Sequence, residues 1–205
     1  MNRPSDAEQP ADPGLLVVLS GPSGVGKTTI AHEVERRLNA AFSVSATTRA
    51  KAPGEVEGQD YYFLSEEDFD RRIDAGEFLE YARVFGRHWY GTPRQPVEER
   101  LARGELVLLE IDVQGGEQIR RVMPDAFLLF IEPPSEDELL RRLRHRGRDS
   151  EDAIDRRFAQ AKAEIARARE CGAYDVFVVN RDLDDAIDET CRHIRRRREQ
   201  VAGRP

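Results

Sequence analysis

The segment Gly21-Pro-Ser-Gly-Val-Gly-Lys-Thr28 directly follows the apolar run Leu15-Leu16-Val17-Val18-Leu19, and no other stretch restricts the fold as much. It fits G-x-x-x-x-G-K-[ST], a phosphate-cradling P-loop that works only between a strand and a helix. Glycines let backbone N–H groups curl around phosphate oxygens without a Cβ in the way. In such a loop Lys27 reaches the β- and γ-phosphates. The Thr28 hydroxyl ligates Mg²⁺ at a helix N-terminus, where the helix dipole also favours anions. The expected nucleoside-triphosphate contacts are therefore Gly21, Pro22, Ser23, Gly24, Val25, Gly26, Lys27, Thr28 and Thr29. A random chain of about 200 residues with ordinary composition matches this pattern less than ~1% of the time.

Around the loop, apolar runs of strand length recur between helical stretches, as in a parallel sheet wound with helices. The strand candidates are Leu15–Ser20, Phe42–Ala46, Leu106–Ile111, Ala126–Ile131 and Val176–Val179. They lack polar alternation, as expected when both sheet faces are covered. Helices are expected over Lys27–Asn39, Val97–Ala102, Glu117–Arg121, Glu136–Arg144, Ile154–Glu170 and Leu183–Arg198. Residues 47–93 break this rhythm. Rich in Tyr, Phe, Gly and charge, they read as an insertion of short strands with one small helix, Glu66–Ala75. The predicted fold is thus α/β, a P-loop core with a five-stranded parallel sheet flanked by helices. Its parts are a polar, disordered tail (1–14), the core (15–46, 94–134 and 158–200), a mixed α/β insertion (47–93) and a helical segment (135–157).

Composition removes several function classes. At 205 residues the chain fits one domain with a substantial core, and no apolar run approaches the ~20 residues of a membrane span. The first residues lack the apolar stretch of a signal peptide. A net charge of −7 argues against nucleic acid as a partner, and Arg195-Arg-Arg-Arg198 reads as a solvated helix end. All but Lys27, Lys51 and Lys162 of the 32 basic residues are arginine, which devalues any single Arg as a signal. Cys171 and Cys191 lack metal spacing and suit free thiols in a reducing cytoplasm, so a cytoplasmic location is expected. Nothing in the sequence sets the oligomeric state.

Two further patterns bear on chemistry. Leu106-Val-Leu-Leu-Glu-Ile-Asp112 is an apolar strand ending in acid, and a P-loop enzyme needs a carboxylate there to hold Mg²⁺ directly or through water. Asp112 is the predicted second metal residue beside Thr28. The cluster of arginines from Arg141 to Arg157 suits a closing lid that stabilises charge on a transferring phosphoryl group and excludes water.

Several short blocks then stand in order: Ser43-Val-Ser-Ala-Thr-Thr-Arg49, Pro53-Gly-Glu-Val-Glu-Gly-Gln-Asp-Tyr61, Gly76-Glu-Phe-Leu-Glu80 and Trp89-Tyr-Gly-Thr92. They continue with Glu110-Ile-Asp-Val-Gln-Gly115, Pro133-Pro-Ser135, Arg142-Leu-Arg-His-Arg-Gly147 and Val179-Asn180. With the P-loop, these blocks resemble bacterial guanylate kinase from about Leu15 to Arg198. The resemblance implies Mg²⁺-dependent transfer of the γ-phosphoryl of ATP to GMP, and to dGMP. It makes 47–93 the GMP-binding region and 135–157 the lid. By the same resemblance Ser45, Glu80 and Thr92 contact guanine, Arg49, Tyr61 and Tyr90 contact the GMP phosphate, and Glu110 joins them on the acceptor side. Arg142, Arg146 and Arg157 embrace the ATP phosphates with Lys27, and Asn180 lies near the adenine. A carboxylate such as Glu80 suits guanine because it accepts from N1–H and the 2-amino group together, a pair adenine lacks.

The chain departs from the family pattern in three places. Thr47-Thr-Arg-Ala-Lys-Ala-Pro-Gly-Glu55 puts Ala52 where the family has a second phosphate-binding Arg, with Lys51 one residue earlier. Arg87-His88 adds a residue before Tyr-Gly, and Glu110 stands where some relatives have Asp. Rival readings are a P-loop kinase for a ribose phosphate, which would lack Ser45, Glu80 and Thr92, and a non-catalytic peptide-binding module, which typically has a degraded P-loop.

Overall fold

The structure, a computed structural model, describes residues 13–84, 87–145 and 150–203, with the backbone alone at Val84. The chain begins with β1 (Leu15–Ser20), α1 (Lys27–Leu38), β2 (Ala41–Phe42), β3 (Ala46–Thr47) and β4 (Tyr62–Phe63). It continues through α2 (Glu66–Asp74), β5 (Phe78–Val84), β6 (His88–Pro93), α3 (Arg94–Ala102), β7 (Leu106–Glu110) and α4 (Val113–Val122). It ends with β8 (Phe127–Glu132), α5 (Glu136–His145), α6 (Glu151–Glu170), β9 (Val176–Val179) and α7 (Leu183–Ala202). Five strands form one parallel sheet in the order β2-β7-β1-β8-β9.

The apolar strands divide their side chains between two faces, which explains their lack of polar alternation. Leu15, Val17 and Leu19 of β1 enter one core cluster with Val34 of α1 and Ile187, Cys191 and Ile194 of α7. Leu16 and Val18 enter a second with Val97 of α3 and Ile119 of α4. β7 splits in the same way, Leu106 and Leu108 to the first cluster and Val107 and Leu109 to the second.

A second sheet, β4-β3-β6-β5, is built by the insertion, with β3 parallel to β4 and antiparallel to β6, and β5 antiparallel to β6. It has its own small core, in which Phe69 of α2 stacks on Phe78 (4.4 Å) and Trp89 (5.8 Å). Ser65 caps α2, its hydroxyl accepting from Asp68 N–H at 3.0 Å.

The structure corrects several expected boundaries. Phe42–Ala46 is not one strand: β2 ends at Phe42 in the parallel sheet, and β3 starts at Ala46 in the other. The chain leaves one sheet for the other within four residues, and the short segment Phe42-Ser-Val-Ser-Ala46 carries no Gly, Pro, Asn or Asp to mark the change. α4 begins at Val113, not Glu117, because Gly115 and Gly116 hide its first turn from propensity while the Asp112 cap stabilises it. α3 begins at Arg94 and α6 at Glu151, each earlier than expected. The boundary at 157 falls inside α6, which runs unbroken from a small apolar cluster (Leu139, Leu143, Ile154, Ala161) to Ala168, packed with Val113 and Phe130. Of the expected tail, residues 1–12 lie outside the described residues. Gly14 is close-packed: a Cβ there would come within 2.4 Å of the Leu101 carbonyl oxygen.

Arg120 of α4 locks this helix to the sheet. Its guanidinium donates to the carbonyls of Ala173 (2.9 Å), Pro124 (2.7 Å) and Ala126 (3.0 Å) and to the Asp175 carboxylate (2.6 Å). Arg120→Met should therefore lower unfolding free energy by roughly 2–4 kcal/mol in denaturant titrations, because it leaves carbonyls without donors. Arg120→Lys should recover less than half of that loss, since an ammonium cannot serve so many separated acceptors.

Candidate active site

Parallel pairing places Leu19, two residues before the P-loop, opposite Glu110 at the end of β7. The loop and the acidic strand end are neighbours for that reason. Two P-loop glycines, Gly24 (φ 90°) and Gly26 (φ 93°), take the left-handed conformation that a side chain resists. Lys27 Nζ donates to the Gly21 carbonyl at 3.1 Å and lies 3.7 Å from Glu110 Oε1. The Thr28 hydroxyl donates to Glu110 Oε1 at 2.7 Å.

The carboxylate hydrogen-bonded to Thr28 is Glu110, while Asp112, expected to hold the metal directly or through water, stands at the edge of the same cleft. Asp112 is the N-cap of α4, accepting from Gly115 N–H at 2.9 Å. Glu110 is the last residue of β7 and meets the P-loop, whereas Asp112 lies past the strand end at the start of α4, where it caps the helix while still lining the same cleft. Thr28 and Glu110 offer hard oxygen donors at a helix N-terminus, which fits Mg²⁺. No group of three or more His, Cys, Asp and Glu able to hold a metal occurs among the described residues.

The helical segment closes over the same loop. Arg157 Nη2 of α6 donates to Ser23 Oγ at 2.7 Å. Arg142 of α5 donates to Glu138 (2.7 Å) and to the Asn180 carbonyl (3.0 Å). Arg141 and Arg142 hold the Glu138 carboxyl at about 2. Arg146 lies outside the described residues. Asn180, buried after β9, donates from Nδ2 to the Val25 carbonyl at 2.8 Å and so braces the P-loop, while its Oδ1 has no protein partner. Thr29 is exposed on the first turn of α1, and Pro22 is buried.

On the other side, β5 and β6 pair Glu80 with Thr92 and Ala82 with Tyr90, so these four side chains share one face. An irregularity in register between Phe78 and Glu80 lets Leu79 enter the main core while Glu80 faces a cleft. That cleft, of about 160 Å³, is lined by Ser45, Tyr61, Glu80 and Tyr90 together with Lys27, Glu110 and Asp112. Glu80 is 5% exposed and accepts from the Thr92 hydroxyl at 2.6 Å. Burial pushes its carboxyl up to about 7, the Asp112 charge adds to the rise, and the Thr92 hydrogen bonds oppose it. Burial likewise raises the Tyr61 phenol.

Arg49 stands over the Tyr61 ring, 5.3 Å from its centroid, and donates from Nε to the Tyr90 hydroxyl at 3.3 Å. That bond occupies a Tyr90 oxygen lone pair and leaves the Tyr90 proton free to donate into the cleft. Its fork is bidentate on Glu55 (2.6 and 3.0 Å), which also takes Ala52 N–H at 2.7 Å. Arg49 and the Ala52 N–H together hold the Glu55 carboxyl below its usual range.

Most of the predicted side chains among the described residues thus fall in two adjoining sets that meet at Lys27 and Glu110, with Thr29 exposed on α1 and Arg146 outside the described residues. Sequence reasoning gave no separate role to Glu55, whose place three residues after Ala52 in a Pro-Gly turn was an available signal. It also passed over Gln118 of α4, which donates to the Tyr81 carbonyl (2.8 Å) and accepts from Tyr81 N–H (3.2 Å). No local pattern marks that residue.

Known proteins resemble this chain in sequence and in fold. The family model described as guanylate kinase matches residues 14–197. The guanylate kinase of Thermosynechococcus vestitus is 52% identical over 176 residues, covering 85% of this chain and 90% of the relative. That of Salinibacter ruber is 50% identical over 182 residues, covering 88% and 95%. The solved guanylate kinase of Anaplasma phagocytophilum superposes with a TM-score of 0.73 at 37% identity, covering 92% of this chain and 88% of that one. A gluconokinase from Sinorhizobium meliloti shares the fold alone, at a TM-score of 0.50 and 19% identity over 93% and 97% of the two chains. With the match spanning nearly all of its length, this chain belongs to the guanylate kinase family.

Proposed function

We propose that the protein transfers the γ-phosphoryl group of ATP to GMP, giving ADP and GDP, with Mg²⁺ as its metal, in the recycling of GMP. One observation supports this best. A buried carboxylate, Glu80, opens into the same cleft as the P-loop lysine, so a guanine-reading group and a phosphate-binding group face one volume. In this reading residues 47–93 bind GMP and residues 135–157 form the lid. dGMP is a second acceptor, because the assigned contacts fall on base and phosphate and none on the ribose. A cytoplasmic location accompanies the reading; among the described residues no helix is long and apolar enough to cross a membrane.

Glu80, with Thr92 and Ser45, takes the guanine edge. Arg49 and the hydroxyls of Tyr61 and Tyr90 take the GMP phosphate, with Lys51 supplying charge beside the Glu55-held loop. The P-loop amides, Lys27, Arg142, Arg146 and Arg157 hold the donor phosphates, and Asn180 holds the loop in shape. An oxygen of the GMP phosphate attacks the γ-phosphorus as the bond to the β-phosphate bridging oxygen breaks. That nucleophile is already anionic, so no general base is needed, and the side chains align the reactants and neutralise charge. Mg²⁺, when held by Thr28 and Glu110, supplies charge neutralisation on the donor phosphates.

Glu80→Gln should lower kcat/KM for GMP by about 100-fold and leave the ATP KM within about twofold, since only guanine meets that carboxylate. Equal losses for both substrates in steady-state kinetics would overturn the guanine assignment. A pH dependence follows as well. GMP binding requires the ionised carboxylate, so the GMP KM should rise more steeply below about pH 7 than it does in Glu80→Gln, where only the GMP phosphate still titrates. The free protein should show the opposite trend. Its protonated Glu80 stabilises the fold fully below about 4.5 and loses that contribution as pH rises to about 7, so melting temperature should drop over this range relative to Glu80→Gln. Finally, Glu110→Gln should raise the Mg²⁺ concentration for half-maximal rate by about tenfold. An unchanged Mg²⁺ requirement would remove Glu110 from the metal.

A further inference from the structure

The carboxylate that faces the cleft belongs to the inserted sheet, where Thr92 of β6 donates to it, and the core helix α4 packs against it and against the strand that carries it. Gly115, in the first turn of α4, leaves room for it: a Cβ at this position would stand 2.6 Å from Glu80 Oε2. One turn further on, Gln118 makes two reciprocal hydrogen bonds to the backbone of Tyr81, the residue next to Glu80. The side-chain amide copies the pairing a neighbouring strand would make, so β5 is tied on its open edge to a helix. The helix is itself immobilised on the core. Asp112 caps it, Arg120 binds three carbonyls and Asp175, and Glu117 takes a bidentate Arg167 of α6 at 2.6 and 3.0 Å.

We propose that Gln118 is a positioning residue for base recognition: by latching the Tyr81 backbone to α4, it holds the Glu80 carboxylate in register with the acceptor base. The inference rests on the assignment of Glu80 to guanine. A carboxylate in that register accepts from N1–H and the 2-amino group together; one that is displaced keeps a single bond. Discrimination between GMP and IMP, which lacks the 2-amino group, therefore reads the latch directly.

The test uses the full chain with Gln118→Leu and, as an unbranched replacement of similar length, Gln118→Met. Each removes both hydrogen bonds while keeping the side-chain volume. Both should lower the ratio of kcat/KM for GMP over IMP by about tenfold, chiefly through the GMP KM, with the ATP KM within about twofold of the unaltered protein. In a Glu80→Gln background the same substitutions should change the ratio by less than about twofold, since coupled residues are not additive. A GMP/IMP ratio unchanged in both variants would overturn the proposal, and so would parallel losses with GMP, IMP and ATP, the mark of a merely structural role. If Glu80→Gln alone leaves the ratio unchanged, the guanine assignment itself fails, an outcome distinct from failure of the latch.

Discussion

The parallel pairing of β1 with β7 is the constraint on which the rest depends. Its register, Leu19 opposite Glu110, places the P-loop and the acidic strand end side by side. The pairing is held by residues that alternate between two buried clusters, so a slip of one residue would move every side chain to the wrong layer. Core packing therefore sets the distance between Thr28 and Glu110. The chemistry takes its position from the hydrophobic register.

A second consequence is that the site has a rigid half and two attached parts. The P-loop, β7 and α4 belong to the core. The Glu80 face belongs to a sheet with its own aromatic core, and the arginines of α5 and α6 belong to a helical layer with its own apolar cluster. Each part is joined to the core both by packing, Leu79 of β5 and Ala168 of α6 being buried in core clusters, and by polar links such as Arg157 to Ser23 and Gln118 to Tyr81.

Charge placement follows the same division. Glu80 is kept near neutrality by burial, so it awaits a donor edge from the base. Arg49, by contrast, is already neutralised by Glu55, which leaves Tyr90 polarised toward the cleft. Ala52 sits in this loop, and its backbone N–H is taken by Glu55, so a main-chain contact that needs no particular side chain at 52 helps fix the loop's shape.

Local sequence determined a great deal here. The P-loop spacing, the two-sided apolar strands and the acid at the end of β7 are written in adjacent residues, because each expresses a backbone or burial requirement a few residues long. The helix caps at Ser65 and Asp182 are equally local. What only the tertiary structure decided are the relations between distant segments. The division of 41–47 between two sheets, the choice of Glu110 over Asp112 beside Thr28, the Glu55 clamp on Arg49 and the Gln118 latch depend on register and on the meeting of surfaces. Propensity and periodicity describe one segment at a time, so they carry no information about which of two neighbouring carboxylates will face a hydroxyl 82 positions away.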